Sequence, residues 1–258
     1  MALTVIDYTI WRGLRDAGLV PAGLEVLEIG QANWYGDLDP AMLRDVIDQY
    51  AEPDSRPDMH YKLTHALTAK GEHWLFDVAE VFYEAVLRRR TITAIDLHGS
   101  PHAHEEDLNE PLRFGWGQFG IVINSGTAEH VFDQRQLWRT IHERCKPGGM
   151  MMHALPLWGW LDHGFYNYHP TFVTDVAAAN GYEVVGWWYA EIGTPYLQPV
   201  ARPEDFGSIA RSRGTAVSAM QYVLFRKPAD ERPFAVPIQG YYAGRLDESG
   251  NKAWKANR

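Results

Sequence analysis

FGIVINSGTAEHVFDQRQLWRTIHERCKPGGMMMHALP, residues 119–156, changes its periodicity twice. It starts with an apolar run over 119–126, bounded by Gly126, that reads as a buried strand. From 129 to 145 the apolar positions recur at helical spacing. That pattern stops at Lys146-Pro147-Gly148-Gly149, where proline cannot continue a helix and the glycines permit a reversal. A second apolar run, 149–157, follows directly. Two continuously apolar strands joined by a helix form a parallel pair covered on both faces.

The same signals extend outward. Further strands are expected at 24–30 (LEVLEIG), 91–99 (TITAIDLHG) and 216–227 (AVSAMQYVLFRK), and another follows the helix that starts at Pro170 and stops at Asn180-Gly181. An amphipathic helix covers 4–17. Gly30 and Asp96 stand 66 positions apart (96 − 30), where a strand–helix–strand unit needs about 30 residues. Helical patterns at 40–51, 59–70 and 73–90 fill the excess. We read 73–90 as the crossover helix and 37–72 as a helical insertion, a lid over the sheet edge. One domain is expected over 1–228, with a C-terminal extension, 229–258, rich in Pro and Gly and carrying Phe234, Tyr241 and Tyr242. That extension either packs over the body or contacts another chain, as a homo-oligomer or with a partner.

Composition narrows the partners. A formal net charge of −9 argues against a broad nucleic-acid surface. The dense basic run Arg88-Arg89-Arg90 falls where a helix ends, and interaction with the helix C-terminus accounts for it. Cys145 is the single cysteine, so an internal disulfide and a thiolate metal cluster are excluded. No apolar run reaches the roughly 20 residues of a membrane span and no signal-peptide pattern is present, so a cytoplasmic protein with no membrane association is expected. Aromatic residues concentrate in 158–196, which suggests a pocket for a flat or apolar small molecule.

In open α/β sheets, ligands bind at the carboxyl ends of the strands. Those ends carry Glu28-Ile29-Gly30, then Asp96, then Asp107 and Leu108 in the loop EEDLNEPL, then Asn124-Ser125-Gly126. This ordered series resembles the class I S-adenosylmethionine-dependent methyltransferases, and residues 119–156 resemble their small-molecule branch. The resemblance covers roughly 24–227 apart from the insertion. It implies a Rossmann-like α/β fold, with a mostly parallel sheet of about seven strands and a helical insertion after the first. It also implies S-adenosylmethionine as cofactor, and methylation of a small molecule at oxygen or nitrogen in bacterial specialised metabolism.

By that resemblance Glu28, Gly30 and Gln31 face the methionine end of the cofactor. Asp96, with Leu97, takes the ribose hydroxyls, Asp107 the adenine amino group, and Leu108 the ring. Asn124 and Ser125 line the methionine side, and Glu129-His130 opens a helix toward the substrate. The family pattern, acidic-x-Gly-x-Gly-x-Gly, is kept at Gly30, softened at Ala32 and broken at Trp34. The Asn33-Trp34-Tyr35 bulk either swings away from the site, helped by Gly36, or fills the methionine space. In the second case the fold would serve another reaction, such as an elimination or a cyclisation, or act as a non-catalytic partner subunit.

The segment MHALPLWGWLDHGFYNYHP, 152–170, sets His153, His163, Tyr166 and Tyr168 among Trp158, Trp160 and Phe165. We expect a substrate pocket bounded by the insertion, the Glu129-His130 helix start and the 157–169 loop. His130, His153 and His163 are the candidate proton acceptors, since imidazole titrates near neutrality, and Glu129 and Tyr166 converge there. His130 is preferred because a helix N-terminus would keep it neutral. His98, His102 and His104 have ligand-like spacing but lie in a flexible acidic loop. A closed zinc site needs four placed ligands, so no metal is expected. His60 and His65 read as insertion surface.

Overall fold

The structure, a computed structural model, describes residues 2–256 except 89–91, 114, 116, 215 and 247; Arg89 and Arg90 therefore lie outside the described residues. In chain order the strands are β1 (Ala2–Leu3), β2 (Val26–Ile29), β3 (Asn33–Trp34), β4 (Ile92–Asp96), β5 (His104–Glu105), β6 (Phe119–Ser125), β7 (Cys145–Trp158), β8 (Glu183–Glu191), β9 (Leu197–Pro199) and β10 (Ala219–Arg226). Eight of them form one sheet in the order β5-β4-β2-β6-β7-β10-β8-β9. The first five are mutually parallel, and β10 runs antiparallel to both β7 and β8. The strand beyond the expected seven is β9, a short antiparallel edge on β8.

The helices are α1 (Val5–Asp16), α2 (Leu43–Tyr50), α3 (Arg56–Ala69), α4 (Trp74–Leu87), α5 (Gln134–Arg144), α6 (Pro170–Asn180), α7 (Pro203–Arg213) and α8 (Glu248–Ala256). None of the described helices is long and apolar enough to cross a membrane. Successive side chains of a strand point to opposite faces, and β7 shows it. Met150, Met152 and Ala154 join the core under α1 and α4, while Met151, Leu155 and Leu157 join the core under α5 and α6.

Helix α4 is apolar around most of its circumference, because α2 and α3 pack on its outer side. Leu43, Val46, Ile47, Met59 and Leu63 all enter the α1–α4 core. The 37–72 insertion is therefore a second packing layer, and it lends no side chain to the cleft described below. An amphipathic helix pair buries its apolar stripe on the nearest apolar surface, and α4 offers one. Arg88 follows α4 in a left-handed turn, and its guanidinium donates to the Tyr50 carbonyl (2.7 Å) and pairs with Glu52 (3.0 Å).

Of the two courses open to the Asn33-Trp34-Tyr35 bulk, the chain takes the outward one. β3 pairs with β1, Leu3 opposite Trp34, which draws the loop toward the N-terminus. Trp34 is 1% exposed, with its ring 6.0 Å from that of Phe82 and its indole N–H donating to the Leu38 carbonyl (2.8 Å). Tyr35 points to solvent, and Gly36 makes the following turn at φ +88°.

The C-terminal extension packs over the body. The Asn180 amide exchanges two hydrogen bonds with the Ala235 backbone (3.0 and 2.8 Å), and Asp175 accepts from Gly240 and pairs with Arg245.

Candidate active site

The winding of the sheet reverses between β2 and β6: β4 and β5 lie to one side of β2, and β6 and β7 to the other. Such a switch point leaves a crevice beyond the strand ends. Here it is a cleft of about 260 Å³ lined by Gly30, Asp96, Leu97, Leu108, Thr127 and His130, among others. Leu97, Glu106 and Asp107 also line a neighbouring groove of about 500 Å³.

The cleft floor depends on Gly30. Its φ of +80° favours glycine, and a Cβ there would collide with the Thr127 side chain. Asp96 ties the two loops together: one carboxylate oxygen accepts the Gln31 N–H (2.8 Å) and the other the His98 N–H (2.9 Å). Each oxygen retains a second acceptor lobe. The Gln31 side chain accepts the Ser100 N–H (2.8 Å) rather than entering the cleft. Leu108 is a buried apolar wall, Leu97 is half exposed, and Asp107 is an exposed rim residue accepting from Asn109.

Glu28, Asn124 and Ser125, also assigned to the cofactor, likewise lie away from the cleft. Glu28 faces the α4 side, in a separate cavity of about 340 Å³ shared with Phe76, Glu80 and His102. Its Oε2 lies 3.5 Å from the Ala32 amide and its Oε1 has no hydrogen-bond partner among the described residues, and burial pushes its pKa up to about 8. Asn124 is fully buried, donating to His153 Nδ1 (3.1 Å) and accepting from the Ala128 N–H (3.1 Å). The Ser125 hydroxyl donates to Asp7 (2.9 Å), which also accepts from Thr4 and Tyr222. Glu28 and Asn124 thus brace the loops from below, and Ser125 links the end of β6 to α1. The strand period explains Glu28, which alternates with the inward-facing Leu27 and Ile29.

On the substrate side the structure brings together Glu129, His130 and His163. Residues 128–130 form a single 3-10 turn, and α5 starts later, at Gln134, capped by the Asp133 side chain on the Gln136 N–H (2.9 Å). His130 therefore does not open a helix. Its pKa is lowered instead by burial and then by neighbouring His163, whose ring lies 4.7 Å away. Glu129 is 1% exposed, and burial pushes its carboxyl up to about 7. The Glu129 carbonyl accepts the Phe165 N–H (2.7 Å), which holds the 159–165 loop, and His163 with it, over the turn.

The expected acceptor His153 and the expected converging residue Tyr166 both lie apart from this group. His153 sits mid-strand in β7, wholly buried, stacked on Trp138 (4.6 Å), and burial depresses its pKa to about 3. It is a neutral core residue and does not line the cleft. Tyr166 donates to the Phe132 carbonyl (3.0 Å) and lines a different groove, of about 710 Å³, with Tyr168, Phe172 and Pro237. His98, His102 and His104 form no metal-ligating cluster among the described residues. Thr127 and Asp7 escape sequence reasoning. Thr127 directly follows the glycine of the fourth strand end, a readable signal; Asp7 in sequence is only the Thr4-x-x-Asp7 helix cap.

No protein-family model and no curated protein matches the chain. Among solved structures it is similar to the N-methyltransferase NodS from Bradyrhizobium japonicum WM9 in complex with S-adenosyl-L-homocysteine, at 12% identity and TM-score 0.44, covering 87% of this chain and 89% of that one. It is also similar to a putative methyltransferase from Bacillus halodurans C-125, at 11% identity and TM-score 0.47, covering 85% and 99%. A third is the 4+2 cyclase SpnF, at 13% identity and TM-score 0.40, covering 86% and 81%. The order and direction of its own strands make the chain a Rossmann-like α/β fold, a mostly parallel sheet wound outward in both directions from the β2–β6 switch point.

Proposed function

We propose that the protein binds S-adenosylmethionine in the switch-point cleft and methylates a small molecule at oxygen or nitrogen. The observation that carries this reading is Asp96. Its carboxylate is fixed by two backbone N–H groups at the end of β4, borders the cleft, and keeps acceptor capacity for a vicinal diol. The rest of the cleft fits the same group. Gly30 lets the Thr127 side chain lie against the loop at the cleft floor, Leu108 offers an apolar wall for a flat ring, and Asp107 stands at the rim where an amino group would be met.

S-adenosylmethionine supplies an electrophilic methyl group when bound, so the chain's own task is alignment and disposal of one proton. His130 lines the cleft, with His163 and Glu129 beside it. Trp34 lies in the core, so the loop lends no support to a reading in which its bulk replaces the methionine moiety.

The test is transfer of an isotopically labelled methyl group from S-adenosylmethionine to a panel of phenols, hydroxy acids and amines and to a cell extract of small molecules. Labelled product and S-adenosylhomocysteine are expected to form together. His130→Ala should cut turnover at least about tenfold, or about 1.4 kcal/mol of barrier, with cofactor affinity nearly unchanged. Absence of label from every fraction counts against methyl transfer.

A further inference from the structure

We infer that Glu129, His130 and His163 form a binding site for one divalent transition-metal ion at the mouth of the cleft. One ligand atom from each, two imidazole nitrogens and a carboxylate oxygen, lies within 4.8 Å of the others. Glu129 Oε1 is 3.7 Å from His163 Nε2, and the two histidine rings stand edge-to-face. Ligand atoms of a tetrahedral zinc centre are about 3.3 Å apart, so modest rotation of two exposed imidazoles closes the set.

A second observation points to a ligand. Glu129 is 1% exposed, yet its Oε2 has no hydrogen-bond partner among the described residues. A buried carboxylate oxygen without a partner is costly, and a cation at this position supplies one. The site is also built rather than incidental. The Phe165 N–H binds the Glu129 carbonyl, a Cβ on Gly164 would press to 2.9 Å from Glu129 Cγ, and Trp160 packs against His163 (4.9 Å) while donating to the Ala219 carbonyl. Glycine at 164 is thus what lets the His163 loop lie on the Glu129 turn.

Two imidazoles and one carboxylate suit zinc, iron(II), cobalt(II) or nickel(II) better than magnesium or calcium, which favour all-oxygen sets. Three protein ligands leave coordination positions open, and His130 faces the cleft. An oxygen donor of the substrate, such as a phenol or hydroxyl, is the chemistry that fits them. That substrate role rests on the methylation reading; metal binding itself does not.

The experiment strips the full chain with a chelator and titrates it with Co²⁺, following the visible d–d absorption, with Zn²⁺ as competitor. About one equivalent should bind, and Zn²⁺ should displace the colour. His163→Ala, at an exposed position, and Glu129→Gln should each weaken binding at least about 100-fold, because removing one of three ligands leaves too few for a stable centre. Cooperative unfolding serves as the check on folding, and His163→Ala decides if Glu129→Gln does not fold. A chain with His98, His102 and His104 all changed to Ala should bind as the unaltered one does. Absence of binding, binding that survives His163→Ala, or binding lost only in the triple variant overturns the proposal. Titration of the metal-free chain with S-adenosylhomocysteine is independent, so failure here is distinguishable from failure of the cofactor reading.

Discussion

Trp34→Ala lowers the free energy of unfolding by about 3–5 kcal/mol, the usual cost of truncating a buried large aromatic, and leaves affinity for S-adenosylhomocysteine within about twofold, as for independent sites. The ring is 1% exposed, packs edge-on to Phe82, and anchors the β1–β3 pair through its bond to Leu38. Truncation opens a cavity against α4 and leaves the Leu38 carbonyl without its donor. Gly30 and Asp96 are held by other bonds, so the cleft persists. Urea denaturation with a parallel ligand titration reads both quantities. A loss below about 1 kcal/mol, too small for a filled core site, would show that Trp34 does not sit in the core.

Glu28→Gln stabilises the protein at alkaline pH and barely changes it in acid. Burial raises the folded-state pKa of Glu28 from the ordinary carboxyl value of 4.5 to about 8. For a raised carboxyl, the favourable contribution is complete below the unfolded value and disappears as pH rises through the folded one. At 1.36 kcal/mol per unit, the substitution should gain about 4 kcal/mol at pH 8 and under about 1 kcal/mol at pH 5. Glutamine keeps the shape of the protonated acid without the proton equilibrium. Chemical denaturation of both proteins between pH 5 and 8 checks it, with the unaltered protein losing the extra stability as pH rises. Parallel pH profiles would mean that Glu28 is not buried as described.

Several parts of this structure are readable in the sequence because local signals suffice. β2, β4, β6 and β7 are apolar runs ended by glycine or acidic residues, and the α5–β7 junction announces itself at Pro147-Gly148-Gly149. Asp96 and Gly30, 66 positions apart (96 − 30), meet because parallel strands bring their carboxyl ends to one edge. Other features depend on long-range pairing. The course of Trp34 follows from pairing between residues 33–34 and 2–3, which no local pattern reports. The late start of α5 has a local cue, Asp133 three residues before Gln136, which continuous apolar spacing from 129 obscures. His153 attracts notice as an imidazole in a polar-aromatic segment. Its mid-strand position in a sheet covered on both faces makes it core, and period-two counting from Met151 would have placed it there. α7 escapes notice because Gly207 and Pro203 dilute an apolar face reduced to Phe206 and Ile209.

Calorimetric titration of the full chain with S-adenosylhomocysteine tests the central claim, a cofactor held at the β2–β6 switch point by Asp96, most directly. The account predicts one ligand per chain. It also predicts binding about 100-fold weaker in Asp96→Ala, since two hydrogen bonds to a charged acceptor contribute about 3 kcal/mol together. No heat of binding and no rise in melting temperature at millimolar ligand, with the protein folded, would contradict it. Unaltered affinity in Asp96→Ala would contradict it equally.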